Sequence, residues 1–203
     1  MEIFSAGQWR TTLLAAIVAL GAQGGYHAVT TWLPLYLSST RGLTALNTGG
    51  YLCVVILGSF LGYLTAAHLT DAIGRKRTLI LFAACSFLAV IFYAGFPISD
   101  HLMLVLGFPL GFFPSGSFSP MGAYFSELFP TSIRASGAGF AYNLGRGTGA
   151  LFPTLVGYLS GRTSLGIAIS VFGSGAFLIM ILGVLFLPET RGLVLDHIGR
   201  ESV

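Results

Sequence analysis

Apolar residues in this chain gather into six long runs, and polar residues collect in the short segments between them. The runs lie near 11–37, 49–70, 78–98, 101–124, 137–159 and 165–187. Each approaches or exceeds the ~20 helical residues that cross a hydrocarbon core of about 30 Å. Helix is the state open to them, because backbone groups left unpaired in lipid are costly. Aromatic and β-branched residues do not alternate with polar ones, as the strands of a membrane barrel require. The expected fold class is therefore all-α, a polytopic bundle of six transmembrane helices.

Composition agrees with this pattern. Of 203 residues, 54% are hydrophobic and 8% charged, against about 25% charged in a soluble domain. The chain has too few charges to coat a water-facing surface. Its Lys and Arg residues are scattered apart from Arg75-Lys76-Arg77, which excludes the basic face that nucleic acid requires. Cys53 and Cys85 fall inside apolar runs, where a thiol is a small hydrophobe. No Cys/His cluster has zinc spacing, so neither metal nor cofactor is expected. A membrane enzyme would need clustered His, Asp or Cys on facing helices, and none stands out. The start, Arg10 followed by Leu13–Leu20 and Gly21-Ala22, resembles a signal peptide, but its apolar character continues through Leu37, too far for a cleaved segment.

Charge placement predicts orientation. With the N-terminus inside, the inner segments hold Arg10, Arg75, Lys76, Arg77, Arg134, Arg191 and Arg200, and the outer loops only Arg41 and Arg162. Seven against two is a positive-inside bias, so both termini are expected to be cytoplasmic.

The six runs differ. The third and sixth are almost wholly apolar, as lipid-facing helices are, whereas the first, fourth and fifth carry most Gly, Pro and polar residues. Two groups of three, each closed by a plain helix, suggest an inverted repeat. The length of the first run and its Gly21, Gly24 and Gly25 predict tilt or local bending there. Trp9 and Trp32, about 35 Å apart along a helix, suit anchors at opposite membrane surfaces. Gly58-x-x-x-Gly62, Gly107-x-x-x-Gly111 and Gly145-x-x-x-Gly149 are small-residue packing faces.

Arg146 carries the clearest chemistry. Near mid-membrane, it costs about 2.5–3.5 kcal/mol on an insertion scale, and it must face protein or water. The acids Glu2, Asp71, Asp100, Glu127, Glu189, Asp196 and Glu201 all lie at run ends or in loops, so no acid stands ready to pair with it. The reading is an anion site, since a guanidinium grips carboxylate with two prongs. Asn143, one turn earlier, shares its face. On the first run, Gln23, His27, Thr30 and Thr31 form one stripe flanked by Tyr26 and Trp32. This stripe is either a cavity wall, with His27 titratable, or polar glue between helices. Pro109, Pro114 and Pro120 in the fourth run remove backbone donors, which suits a gating helix or static kinks. Gly145-Arg146-Gly147-Thr148-Gly149 follows no strand, so it is not a phosphate loop.

Two charged segments remain, Asp71–Arg77 and Glu127–Arg134. Asp71, Arg75, Glu127 and Arg134 are expected to pair into a cytoplasmic latch.

At these segments a family comes into view. Asp71-Ala-Ile-Gly74-Arg75-Lys76 resembles the Asp-Arg-x-Gly-Arg-Arg/Lys loop of the major facilitator superfamily. Glu127-x-x-Pro130-Thr131-x-x-Arg134 and Pro188-Glu189-Thr190-Arg191-Gly192 are similar to its later cytoplasmic signatures. The departures are Ala67, where a Gly usually precedes the Asp by four, and Ala72, where an Arg follows it. The resemblance implies half of a twelve-helix major facilitator fold, residues 1–203 forming the C-terminal six-helix domain without the N-terminal half. Its function would be secondary active transport in a bacterial inner membrane by alternating access, with a proton as coupling ion. Tyr142-Asn143-Leu-Gly-Arg146 looks most like the organic-acid branch that carries aromatic acids and sialic acid, while Pro188–Gly192 is shared with sugar porters. On that likeness the substrate is a small organic anion bound by Arg146 and Asn143, with Gln23, Tyr26, His27 and Thr30 along the cavity. Asp71, Gly74, Arg75, Lys76, Glu127, Arg134, Glu189 and Arg191 would form the cytoplasmic gate. Alternatives are a sugar or other metabolite as cargo, a six-helix channel, and a non-transporting half that must pair with the missing half or a second copy.

Overall fold

The computed structural model describes residues 4, 5 and 7–192. Arg200 of the charge count, and the acids Glu2, Asp196 and Glu201, lie outside the described residues.

The described residues fold as helices in chain order: α1 (Trp9–Thr30), α2 (Leu33–Leu35), α3 (Ala45–Ile73), α4 (Arg75–Ala94), α5 (Asp100–Gly116), α6 (Phe118–Leu128), α7 (Arg134–Gly149), α8 (Phe152–Ser160) and α9 (Leu165–Leu185), with a wide π-turn at Tyr36–Thr40. They make six spans: α1 with α2 and the π-turn, α3, α4, α5 with α6, α7 with α8, and α9. Five of these are long and apolar enough to cross a membrane. The remaining one, α7 with α8, is split at Ala150-Leu151 and carries Arg146. Thr44, Ser99 and Ser164 cap α3, α5 and α9 by accepting backbone N–H bonds from Asn47, Leu102 and Ile167, the ordinary role of a hydroxyl at an N-cap.

The close packing partners are second with fourth span, first with fifth, first with sixth, third with fourth, and third with sixth. Exchanging spans one to three for spans four to six maps this set onto itself. Three spans per unit make the two units point oppositely, so the packing has the form of an inverted repeat.

Lipid offers no hydrophobic drive for one helix to seek another, so contact depends on how closely backbones approach. The three Gly-x-x-x-Gly pairs all lie in such contacts. Gly58 and Gly62 of α3 face the backbone of Phe108 and Phe112, and Gly111 of α5 faces the backbone of Val55, while Gly107 meets Val54 and Val55. A Cβ at Gly145 would strike Ala19 and Leu20 of α1, and one at Gly149 would come within 2.9 Å of the Gly24 nitrogen.

The glycines of the first span serve packing. The helix of this span is unbroken through Gly21, Gly24 and Gly25 and breaks at Thr31-Trp32, just before Pro34. Those glycines admit neighbours instead: a Cβ at Gly21 would lie 2.5 Å from the Met180 nitrogen, and Gly24 and Gly25 receive the rings of Phe152 and Phe177. Trp32 has a bond within the bundle. Its indole Nε1–H donates to the Pro153 carbonyl at 2.9 Å, tying the break in the first span to the first turn of α8. Trp9 is exposed, with the Arg10 guanidinium 5.5 Å from its ring centre.

The expected lipid-facing helices α4 and α9 pack on each other with one face each. They expose apolar stripes such as Leu81, Leu88 and Phe92, and Ile167, Val171, Leu178 and Leu182. The least enclosed of the five apolar spans is α3, which exposes Ile56, Leu57, Phe60, Leu61 and Leu64.

Gly111→Val should destabilise the bundle by about 1–3 kcal/mol or more, because two backbones must separate to admit the branch. Thermal unfolding in detergent measures this. Gly147→Ala, where nothing lies within 4 Å of an added Cβ, should not lower the midpoint, since Ala favours the helix over Gly.

Candidate functional site

Two constellations emerge, a cavity among the membrane spans and a charged network at the ends of α3, α4, α6 and α9. The cavity holds about 410 Å³. From α1 it takes Gln23, Tyr26 and His27, from α7 Tyr142 and Arg146, and Tyr63, Ser115 and Phe118 complete it from α3, α5 and α6.

Gly145 and Gly149 press α7 against α1 at residues 19–24, so Arg146, the residue after Gly145, sits beside that contact line and turns into the cavity. No carboxylate among the described residues lies within ion-pair distance of its guanidinium. Arg146 lies in the last turn of α7, where Ala150 N–H closes on the Arg146 carbonyl. A helix C-terminus favours a cation by about 0.3–1 kcal/mol. That is less than the roughly 2.5–3.5 kcal/mol that an Arg costs at the centre of a membrane helix. The site is left short of negative charge.

Aromatic rings form most of the rest of the wall, with Gln23 and Ser115 between them. Tyr26 meets Phe118 edge to face, with ring centres 5.4 Å apart at 90°, and meets His27 at 5.6 Å and 74°. Phe118 opens α6 directly after the break at Ser117. Pro120 has no N–H for the Gly116 carbonyl, which explains a break in this stretch.

Two other residues expected at the site are not among the cavity's lining residues. The Asn143 amide donates to the Gly139 carbonyl at 2.8 Å, and the Thr30 hydroxyl donates to the Tyr26 carbonyl at 2.8 Å. Each satisfies its donor on its own preceding turn, and neither lines the cavity. Tyr63 and Phe118 were not anticipated. Ser115 was visible as one of the serines of a proline-rich helix, and Tyr142 as the start of the Tyr-Asn-x-Gly-Arg stretch, but nothing in the chain pattern says which side of a helix meets α1.

The charged network centres on Arg75. Its Nε lies 3.2 Å from Glu127 Oε2, and its Nη1 lies 3.0 Å from Asp71 Oδ1 and donates to the Thr70 carbonyl at 3.1 Å. Thr190 Oγ1 donates to Glu127 Oε2. With both Glu127 oxygens engaged, Arg134 stays out of the network: its Nη2 donates to Thr131 Oγ1 at 3.0 Å, within its own turn. The expected four-residue latch therefore exchanges Arg134 for Glu189.

Glu189 and Lys76 cap each other's helices. Glu189 Oε1 accepts the Arg75 N–H at 2.9 Å and the Lys76 N–H at 3.4 Å, closing the N-terminus of α4. Lys76 Nζ donates to the Leu185 and Leu187 carbonyls at 2.8 and 2.6 Å, closing the C-terminus of α9. Each charge sits at the helix pole that favours it. Gly74 is required at the junction: its φ is +104°, and a Cβ there would lie 2.5 Å from Glu189 Oε2. Arg191 contributes its backbone N–H to Glu189 at 3.2 Å. Desolvation pushes the Glu189 carboxyl up, but the N–H donations from Arg191, Lys76, Thr190 and Arg75 outweigh it and hold the group below its usual 4.5.

A sequence profile described as Major Facilitator Superfamily matches residues 16–202, and the chain belongs to that family, whose members transport solutes across membranes and are not enzymes. It is 36% identical over 201 residues, 99% of this chain and 47% of the relative, to a "Probable 4-methylmuconolactone transporter" of Cupriavidus pinatubonensis. It is 31% identical over 182 residues (88% and 43%) to a "Cis,cis-muconate transport protein" of Acinetobacter baylyi. It is also 31% identical over 203 residues (98% and 45%) to the niacin transporter NiaP of the same organism. The chain spans about half the length of the curated relatives it matches. It is a multi-pass membrane protein.

A carboxylate held below its usual pKa stabilises the fold at pH above 4.5, and that contribution disappears as pH falls through the lowered value. Stability in detergent should therefore hold from pH 7 to about pH 5 and decline below about 4.5. Glu189→Gln should be less stable at pH 7 and decline less over the acid range; equal acid loss in both proteins would remove Glu189 as the cause.

Proposed function

We propose that this chain is the C-terminal half of a secondary transporter that carries a small organic anion across a bacterial inner membrane by alternating access. The reading is carried by Arg146, a mid-membrane guanidinium with no carboxylate partner among the described residues, facing a cavity with aromatic walls. Muconate and niacin, the cargoes named for two relatives, are both carboxylic acids, the group a guanidinium holds in two-pronged geometry. The aromatic walls suit a flat, unsaturated acid over a sugar, whose hydroxyls need many polar partners.

The coupling ion in this reading is the proton. Among the described residues Asp71, Asp100 and Glu127 stand at the ends of their spans and no carboxylate lies nearer the middle, so in this reading the coupling acid belongs to the other half of the transporter. That half also closes the open side of the cavity, where Arg146 and Tyr63 are exposed. The network of Asp71, Gly74, Arg75, Lys76, Glu127 and Glu189, with the Arg191 backbone, is the cytoplasmic gate. Both termini are then cytoplasmic, and the network must part when the inner side opens.

With Arg146→Ala introduced at the native locus, uptake of labelled aromatic monocarboxylates by membrane vesicles should fall about 100-fold or more in kcat/KM. A lost charge-assisted pair of about 3 kcal/mol predicts that size of effect. Arg146→Lys should recover part of it, keeping the charge but not the fork. An immunoblot of the membrane fraction checks insertion, and a protonophore should abolish wild-type accumulation. Wild-type kcat/KM in Arg146→Ala would take the guanidinium out of the site.

A further inference from the structure

Most hydroxyls on the membrane helices are satisfied by their own helix. Thr30, Ser59, Thr65, Ser86, Ser117 and Thr148 all donate to a carbonyl one turn back. Two polar side chains on the cavity wall behave differently. Gln23 is 5% exposed and Ser115 is 9% exposed, yet neither side chain makes a hydrogen bond among the described residues. They are also unlike Thr48 and Thr70, whose unpartnered hydroxyls are sealed in the packing, because both line the cavity. Gln23 uses its stem for packing: its Cβ would lie 3.0 Å from a Cβ added at Gly149. Its amide is left with a donor and an acceptor to offer. Glue between helices would be bonded across the contact, and this amide is not.

We propose that Gln23 and Ser115 form a second recognition point that reads a neutral hydrogen-bonding group on the substrate, apart from its carboxylate. The inference rests on the carboxylate reading of the cavity and narrows it: the cargo is a flat monocarboxylate bearing a ring nitrogen, carbonyl or hydroxyl. An amide and a hydroxyl offer no charge to balance a second anionic group, so a neutral substituent is the match. When the site closes on an acid without that substituent, both side chains lose water and gain nothing. Sites built to hydrogen-bond a substrate group reject analogues lacking it for this reason.

Matched pairs test the idea by competition against labelled substrate in vesicles from cells with the native locus. Benzoate against nicotinate differs by a ring nitrogen, and 3-methylbenzoate against 3-hydroxybenzoate by a hydroxyl. The wild-type protein should prefer the polar member of at least one pair by about tenfold, the factor that 1.4 kcal/mol represents. Ser115→Ala, which deletes one oxygen, and Gln23→Met, which keeps the side chain's length, should each bring that ratio towards one. Arg146→Ala should weaken both members of a pair equally, so loss of the carboxylate grip and loss of the second point give different patterns. A wild-type protein indifferent within both pairs, or a ratio unchanged in both variants, would overturn the proposal. If Arg146→Ala leaves both members unaffected, the carboxylate reading fails instead. Should Gln23→Met fail to reach the membrane, Ser115→Ala decides alone.

Discussion

Close approach of helix backbones is the constraint on which this structure depends. In lipid, apolar side chains gain nothing by leaving their surroundings for one another, so helix contacts rest on packing and on small residues that admit it. Gly145 and Gly149 bring α7 against α1, and Gly58, Gly62 and Gly111 bring α3 against α5. These two contacts correspond under the exchange of the first three spans for the last three. The candidate site follows from the first of them: a residue next to Gly145 is rotated about 100° from the contact line, near α1 without being buried in it. Arg146 is that residue, and α1 presents Gln23, Tyr26 and His27 to the same space.

Interruptions of the helices serve the site as well. The first span breaks at Thr31-Trp32 and the fifth at Ala150-Leu151, and the Trp32 indole bonded to Pro153 joins them. The second break gives α7 a C-terminal pole one turn after Arg146, which lessens the electrostatic penalty of the guanidinium without removing it. At the charged end, Glu189 and Lys76 close the opposing poles of α4 and α9, and Arg75 draws in Asp71 and Glu127. There, ions are paired and capped. In the cavity, no carboxylate among the described residues pairs with the Arg146 guanidinium.

Much of this was legible along the chain. Six apolar runs announced six spans, the three Gly-x-x-x-Gly pairs announced helix contacts, and a lone Arg inside a run announced a cavity. The Asp71–Lys76, Glu127–Arg134 and Pro188–Gly192 segments marked the family, because their chemistry is local: turns, caps and short-range pairs. Of the first-span stripe, Gln23 and His27 reached the cavity with their neighbour Tyr26, while Thr30 bonded back to its own helix. Asn143 did the same. A short polar side chain chooses between its own backbone and a neighbour, and periodicity does not decide that choice.

Composition and periodicity by themselves determined the membrane-spanning class, the number of apolar runs and the presence of an Arg inside one of them. These depend on hydration free energy and helix geometry, which act residue by residue. Only the tertiary structure decided that Tyr63, Ser115 and Phe118 share a wall with Arg146, that Trp32 clamps α8, and that Glu189 rather than Arg134 completes the charged network. An apolar helix in lipid looks alike on every side until a neighbour arrives. Which face becomes interior is settled by contacts between segments far apart in the chain.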